Sequence, residues 1–521
     1  MFLRQRPQVS EAAQGKRLLF LAAGSRGEVQ PLVALASGCQ KAGFDVVVVA
    51  PGQLLGLFED FGVVAVDSGV LGDPSSPRAA RVQDDAVPGH TGEVDDSVFL
   101  SPGVLRIMFE YATDFGPDLV LAGLPCLAAG QAFAERLGVP FMDFSLRLLM
   151  PSGLSRSPFG ELAGYPACVH RWRWLAFHRR LWRAYGQAQL PVLQALVQSP
   201  GVPCGWGHFG AYLLDFADPV APGLLCMSPL LTALPADTQP ALQEAGLKGL
   251  LVVTRQEQLT KADEFFGCRI ALRTFLDSEP NDPPIYFGFA PPPPAGCLRA
   301  APLSEQVPQF LSRLAVGAAM QTKRRAVVLC GEAGLRSEYL NGWDDLQAYA
   351  RTRVLFVHSA PHEFLFPRCA VVVHHGGLGT TACSLRAGVP TVVLSSSMEE
   401  RAQGALIAKL RVGVALDHLA DLFARDVAGA IRRCLDNEEM KARCKELAAE
   451  LQKEDGAKAC VDHLDHFFKD KFVTGEWKVA NDKRQSEKAA LRARGSEGCC
   501  SCFSWYRAAF RPRTRGATKQ T

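Results

Sequence analysis

The chain has 521 residues, 48% hydrophobic and 21% charged, with a net charge of +3. Its length exceeds one ordinary core, so two or more domains are expected. The composition is that of a globular protein, and so small a net charge removes nucleic acid from the expected partners.

Residues 1–16 read as a disordered leader with no apolar central run, hence no signal peptide. The 16 cysteines follow no regular spacing, which fits reduced thiols in the cytoplasm. No stretch reaches the roughly 18 apolar residues of a membrane span, so any membrane contact is expected to be peripheral.

Arg17–Ser25 is a short apolar run ending in Gly and Ser, the mark of a buried parallel strand. A helix follows, with Pro31 near its start and Gly43 just past its end. Phe44–Pro51 is a second buried strand. This βαβ opening predicts an α/β domain with a parallel sheet. Residues 71–98 are rich in Pro, Gly, Ser and acid and read as a long mobile loop. Strand and helix patterns resume near 117–138, and Val139–Leu146 is another strand. His170–Gly186 is a basic, aromatic helix with Trp174, Phe177, Leu181 and Tyr185 on one face. Two readings stay open for it: an ordinary half-buried helix, or a helix beside an apolar cleft or a membrane surface.

The pattern restarts at Pro283–Ala290, a strand followed by the proline run Pro291–Pro294. Arg324–Gly334, Arg353–Pro361, Cys369–Gly377 and Val389–Ser397 are further strands with helices between them, a second doubly wound domain. The expected division is 17–250, a linker at 251–281, 282–455, and a helical then disordered tail at 456–521. Near the tail's end Cys499, Cys500 and Cys502 stand among aromatics and arginines. Zinc wants four ligands, and no second cluster is close in sequence. Acylation beside a polybasic patch, anchoring the protein peripherally on a membrane, and a disordered tail with incidental cysteines both stay open.

The densest chemistry lies in His374–Pro390, "HHGGLGTTACSLRAGVP". A buried strand meets a helix at a turn holding Gly376, Gly377 and Gly379. Glycine lets a ligand approach the backbone. A helix starting near Thr380 aims free N–H groups and its positive dipole end at that turn, which favours an anion such as phosphate. Thr380, Thr381 and His375 add side-chain donors. The turn is neither a Walker A nor a G-x-G-x-x-G motif. A tight turn whose glycines only ease packing is the alternative.

The stretch "APHEFLFPRCAVVVHHGGLGTTACSLRAGVPTVV" closely resembles the C-terminal signature of the sterol 3-beta-glucosyltransferases, members of the UDP-glycosyltransferase superfamily with the two-domain GT-B fold. "GSRGEVQPLVALASGCQKAGFDVVVVAP" (Gly24–Pro51) resembles the N-terminal signature of the same family, where the acid is usually Asp. The resemblance covers roughly residues 17–455. It implies two Rossmann-like doubly wound parallel-sheet domains facing across a cleft. It further implies a UDP-sugar donor on the C-terminal domain, and a sterol or similar lipid acceptor entering from the N-terminal side. It implies, too, that glucose is transferred with inversion, with no metal and no other cofactor.

Carried over residue by residue, the family motif puts His375, Gly377, Gly379, Thr380 and Thr381 at the diphosphate, with His374 and Gly376 among the donor-binding residues of the same turn. His362 falls in the segment flanking uracil and ribose. Glu399 and Glu400 stand where the family has an Asp-Gln pair that grips sugar hydroxyls; the other reading of the pair is a solvated helix start. Glu28 takes the place of the base that removes the acceptor proton; the other reading of Glu28 is a first-turn charge that complements the helix dipole. Ser25, Arg26 and Gly27 shape the same loop. Three more positions depart from the family: Ala290 and Pro291 where it has Gly and Ser, and Glu332 where it has Trp. Two rival functions remain: a transferase for another hydrophobic natural product, and an inactive lipid-binding scaffold.

Overall fold

A computed structural model describes residues 9–24, 26–68, 100–124, 126–146, 268–290, 307–331, 333–417 and 419–493, with shorter stretches between 174 and 251. The loop read at 71–98, the proline run 291–294, Glu332, Tyr185 and Cys499–Cys502 lie outside the described residues. The chain forms two compact units, Met1–Leu251 with Asp455–Thr521, and Val252–Glu454.

Each unit is built on a six-stranded parallel sheet. The first has β1 (Arg17–Leu21), β2 (Asp45–Ala50), β3 (Val64–Asp67), β4 (Leu119–Ala122), β5 (Phe141–Ser145) and β6 (Leu224–Leu225), in the order β3-β2-β1-β4-β5-β6. The second has β7 (Ile285–Gly288), β8 (Ala326–Leu329), β9 (Val354–Val357), β10 (Val371–His374), β11 (Thr391–Leu394) and β12 (Gly413–Leu416), in the order β12-β11-β10-β7-β8-β9. Counted within its own unit, the second order reverses to 3-2-1-4-5-6, the same as the first. Both are the doubly wound order, in which the winding changes direction between the first and fourth strands. A crevice opens there, beyond the carboxyl ends of the strands. The switch lies between β1 and β4 in the first unit and between β7 and β10 in the second.

The strands are apolar throughout because a parallel sheet with helices on both faces hides both sides of each strand. Val371, Val372 and Val373 of β10 are all fully buried, as are Leu18, Leu19 and Phe20 of β1. Burial of each such side chain contributes about 1.5–3 kcal/mol. The helix of the second unit at Cys268–Ser278 buries Leu272 and Leu276 against β7 and its neighbours, and so completes that core inside the stretch read as linker.

In the basic aromatic helix, Trp174, Phe177 and Leu181 are buried together, and Trp174 meets Phe177 edge-on at 5.7 Å. Its apolar face is therefore core, as the half-buried reading expects.

The charged segment after 455 does not stand apart from the fold. The helix Gly456–Phe467 buries Cys460, Val461, Leu464 and Phe467 in the first unit, against the helix Arg26–Ala42. Gly38 permits that approach, since a Cβ there would stand 3.3 Å from the Ala457 Cβ. A second helix, Glu476–Ala493, follows. Its Lys488 is nearly fully buried and ion-paired to Glu135 and Asp215. No helix among the described residues is long and apolar enough to cross a membrane.

His463, on the returning helix, accepts from Lys248 Nζ at Nδ1 (3.2 Å) and donates from Nε2 to the Pro222 carbonyl (3.0 Å). Burial, with the lysine next, pulls its pKa down from 6.5 to about 4. The unfolded chain therefore takes up a proton near pH 6.5 that the folded chain refuses. Stability is complete above that pH, falls as pH drops toward 4, and falls no further from this group below it. Integrated, His463 alone removes about 3 kcal/mol between pH 7 and pH 4. Denaturant titrations across that range are expected to show the loss. His463→Gln is expected to flatten the curve, and an unchanged slope in that variant would contradict the assignment.

Candidate functional site

The turn singled out in the sequence sits at the switch point of the second unit. His374 ends β10, pairing with Gly288 of β7 on one side and Val393 of β11 on the other. Four residues later the helix Leu378–Ala387 begins, and it ends on left-handed Gly388 (φ 71°), two residues before Pro390. Its N-cap is Gly377, which has no side chain to cap with, and no acid stands in the first turn. The opening amides of a helix lack partners within it. Here the N-cap residue offers them no side chain, and the dipole adds a positive end at the carboxyl edge of the sheet. A helix start of this kind favours an anion.

Two glycines make the turn possible. Gly376 has φ 104°, a left-handed conformation unfavourable to any side chain. A Cβ there would also stand 3.0 Å from the Glu400 carbonyl oxygen and from a Val393 methyl. At Gly377 a Cβ would stand 2.5 Å from His375 Nε2, so the imidazole lies across bare backbone.

The two histidines differ sharply. His374 is fully buried. Its Nδ1 accepts the Gly376 N–H at 3.0 Å, which leaves the proton on Nε2. Burial, then the neighbouring His375 and His362, holds its pKa far below the usual imidazole range. His375 is partly exposed, at the start of the turn. Thr381 is buried, and its hydroxyl donates to the Gly377 carbonyl at 2.9 Å. It braces the turn from inside, whereas Gly379 and Thr380 are partly exposed on the first helical turn.

His362 opens the short helix His362–Leu365, which packs against Leu378–Ala387. Its ring stacks on Phe366 (4.4 Å, 16°), and its Nε2 lies 3.1 Å from the Tyr286 hydroxyl. Tyr286 is buried on β7, and its hydroxyl fills the space that a side chain on Gly288 would take. Tyr286 thus fixes His362 near the switch point. This tyrosine is not legible in the sequence, because an apolar strand position carries no outward signal of its hydroxyl.

Of the acidic pair, Glu400 has a described side chain. Glu400 Oε2 accepts from Ser396 N (2.6 Å), Ser396 Oγ (2.7 Å) and Ser397 N (2.8 Å), while Ser397 Oγ accepts from Glu400 N. This is a capping box at the start of the helix Met398–Leu410. The Glu400 carboxylate is turned back onto its own helix start. The Glu399 side chain lies outside the described residues, as does Ser25.

In the first unit the helix Arg26–Ala42 follows β1 at that unit's switch point, after Gly24 at φ 109°. Gly27 is exposed in its first turn. Glu28 is the third residue of the helix; its side chain and that of Arg26 lie outside the described residues. The two signature motifs thus occupy the switch points of their own sheets.

Known proteins bear out the family resemblance. Residues 346–465 match the model of the erythromycin biosynthesis protein CIII-like C-terminal domain. A sterol 3-beta-glucosyltransferase of Arabidopsis thaliana is 25% identical over 473 residues, covering 86% of this chain and 67% of that protein. The chain thus spans about two thirds of that relative's length. The vancomycin aglycone glucosyltransferase of Amycolatopsis orientalis is 28% identical over 409 residues, covering 77% and 86%. Among solved structures, the glycosyltransferase of kitacinnamycin (16% identity) and VinC in complex with dTDP (18%) each superpose with a TM-score of 0.54. They cover 86% and 87% of this chain, and 98% and 99% of their own. The chain thus has the fold of these GT-B-type glycosyltransferases, and sterol 3-beta-glucosyltransferases are among the proteins it is similar to.

Proposed function

We propose that the protein transfers a hexose, glucose by preference, from a UDP-sugar to the hydroxyl of a sterol or similar apolar alcohol, with inversion and without a metal. The observation that carries the donor half is the uncapped helix N-terminus of Leu378–Ala387 at the sheet's switch point, with no acid in its first turn. A diphosphate fits there because amide dipoles and the His375 ring stabilise the charge that builds as UDP leaves. The solved structure of VinC holds dTDP, a nucleoside diphosphate of the same class. In the reaction Glu28 removes the acceptor hydroxyl proton while that oxygen attacks the anomeric carbon. The bond from that carbon to the diphosphate oxygen breaks, and UDP departs. The acceptor half rests on the sterol glucosyltransferase relatives. Work at a membrane surface, where such acceptors reside, goes with that acceptor and with the cysteines and arginines of Cys499–Arg515.

Metal-free calorimetric titration with UDP, UDP-glucose and UDP-galactose tests the donor half. Binding of UDP, with UDP-glucose favoured over UDP-galactose, is the expected result. No heat with any of the three would overturn the reading. A panel of sterols against other apolar alcohols, followed by glucose transfer, tests the acceptor half.

One observation favours a second reading, a nucleotide-binding scaffold without transfer. Glu400, at the position of a sugar-gripping residue in the family, has its carboxylate held by Ser396 and Ser397. UDP binding with no discrimination between the sugars and no turnover would select it.

A further inference from the structure

Of the two adjacent histidines, one cannot reach a ligand as the chain is folded. His374 is fully buried at the end of β10, between Gly288 and Val393. Its Nδ1 accepts the N–H of Gly376, two residues on, at 3.0 Å. That is the pattern of an Asx turn made with an imidazole. Its Nε2 is buried with no hydrogen-bond partner among the described residues. A buried N–H left unpaired costs free energy, which packing alone does not justify when an apolar ring would fill the same volume. Among the described residues, the ring's hydrogen bond is to the residue with φ 104°.

We infer that His374 is a positioning residue. Its Nδ1 holds the Gly376 peptide in its left-handed turn and so aims His375 and the first amides of Leu378–Ala387 at the donor diphosphate. Without that acceptor the Gly376 N–H is buried and unpaired, and the turn gains freedom to rotate its peptide toward another partner. The phosphate cradle then loses its fixed geometry, although neither His375 nor the helix has changed. The inference rests on the nucleotide-sugar reading for its ligand, but the hydrogen bond itself stands apart from that reading.

Three substitutions separate a positioning role from direct ligation. Asparagine can place its amide oxygen near the position of Nδ1 and close an Asx turn on residue 376. Glutamine places a polar atom near Nε2 instead. Phenylalanine keeps the ring and no acceptor. His374→Asn is expected to hold UDP affinity within about threefold of wild type. His374→Gln and His374→Phe are expected to lose about 10- to 100-fold, the effect of one buried amide left unpaired. Melting curves show whether each variant folds, and hydrogen exchange over residues 374–381 reads the turn without nucleotide. Wild type and His374→Asn are expected to protect that peptide, the other two to expose it.

Retained affinity in His374→Gln with loss in His374→Asn would make Nε2 the working atom and overturn the inference. Equal affinity and equal exchange in all three variants would overturn it as well. If wild type itself binds no UDP, the donor reading fails, and the exchange pattern alone then decides the role of His374. A folded protein in which His374→Phe exchanges like wild type would end it.

Discussion

Gly376→Ala is expected to remove nucleotide binding while both units still fold. Two separate costs meet at this residue. A side chain at φ 104° adds about 1–3 kcal/mol of backbone strain. The new Cβ would press on the Glu400 carbonyl oxygen and on a Val393 methyl, each 3.0 Å away. These are backbone and core neighbours, so neither moves aside freely, and such overpacking typically costs about 1–3 kcal/mol. The turn relieves both by rotating out of the left-handed region. That rotation breaks the Gly376 N–H to His374 Nδ1 bond and swings His375 off Gly377. The expected loss is about 2–5 kcal/mol of stability in the second unit. UDP affinity is expected to drop by at least about 100-fold. Denaturant unfolding read beside UDP titration checks both. Wild-type UDP affinity in Gly376→Ala would mean that the turn geometry does not build the anion site.

The turn was legible because it needs no tertiary information: a valine run, three glycines and a helix pattern follow one another in the chain. The doubly wound class was legible for the same reason, from short apolar strands alternating with helical stretches. What each histidine does was not. His374 and His375 are neighbours in sequence, and only their burial separates a ring that braces the turn from one that borders it. Glu400 was half legible. The Ser397-x-x-Glu400 spacing is a capping-box signature, and the helix start does close on it. The return of 456–493 to the first unit was hidden, because it rests on pairs such as Gly38 with Ala457, hundreds of residues apart. Polarity made the segment look like a tail, yet its buried residues fall at helical spacing, Cys460, Val461, Leu464 and Phe467.

Glu28→Gln is expected to reduce glucose transfer by about 10²- to 10⁴-fold, the usual worth of a general base, and to leave UDP affinity unchanged. The substitution keeps size and hydrogen bonding but removes the ability to take a proton. Glu28 lies in the first turn of Arg26–Ala42, at the switch point of the first unit, whereas the diphosphate groups proposed above belong to the second. Its effect should therefore fall on kcat rather than on donor binding. The competing role is a charge at a helix N-terminus, worth about 0.3–1 kcal/mol to stability. That role predicts a small drop in melting temperature and nearly full turnover, so the two accounts differ on both readouts. Glu28→Asp sharpens the contrast, because it restores the family's usual acid and shortens the reach by one methylene. A base needs contact with the acceptor hydroxyl, so partial activity in Glu28→Asp with near-zero activity in Glu28→Gln points to proton transfer. A helix-start charge is satisfied equally by Asp, which then matches wild type. Full turnover in Glu28→Gln would remove Glu28 from the chemistry and leave the reaction to be assigned to another group.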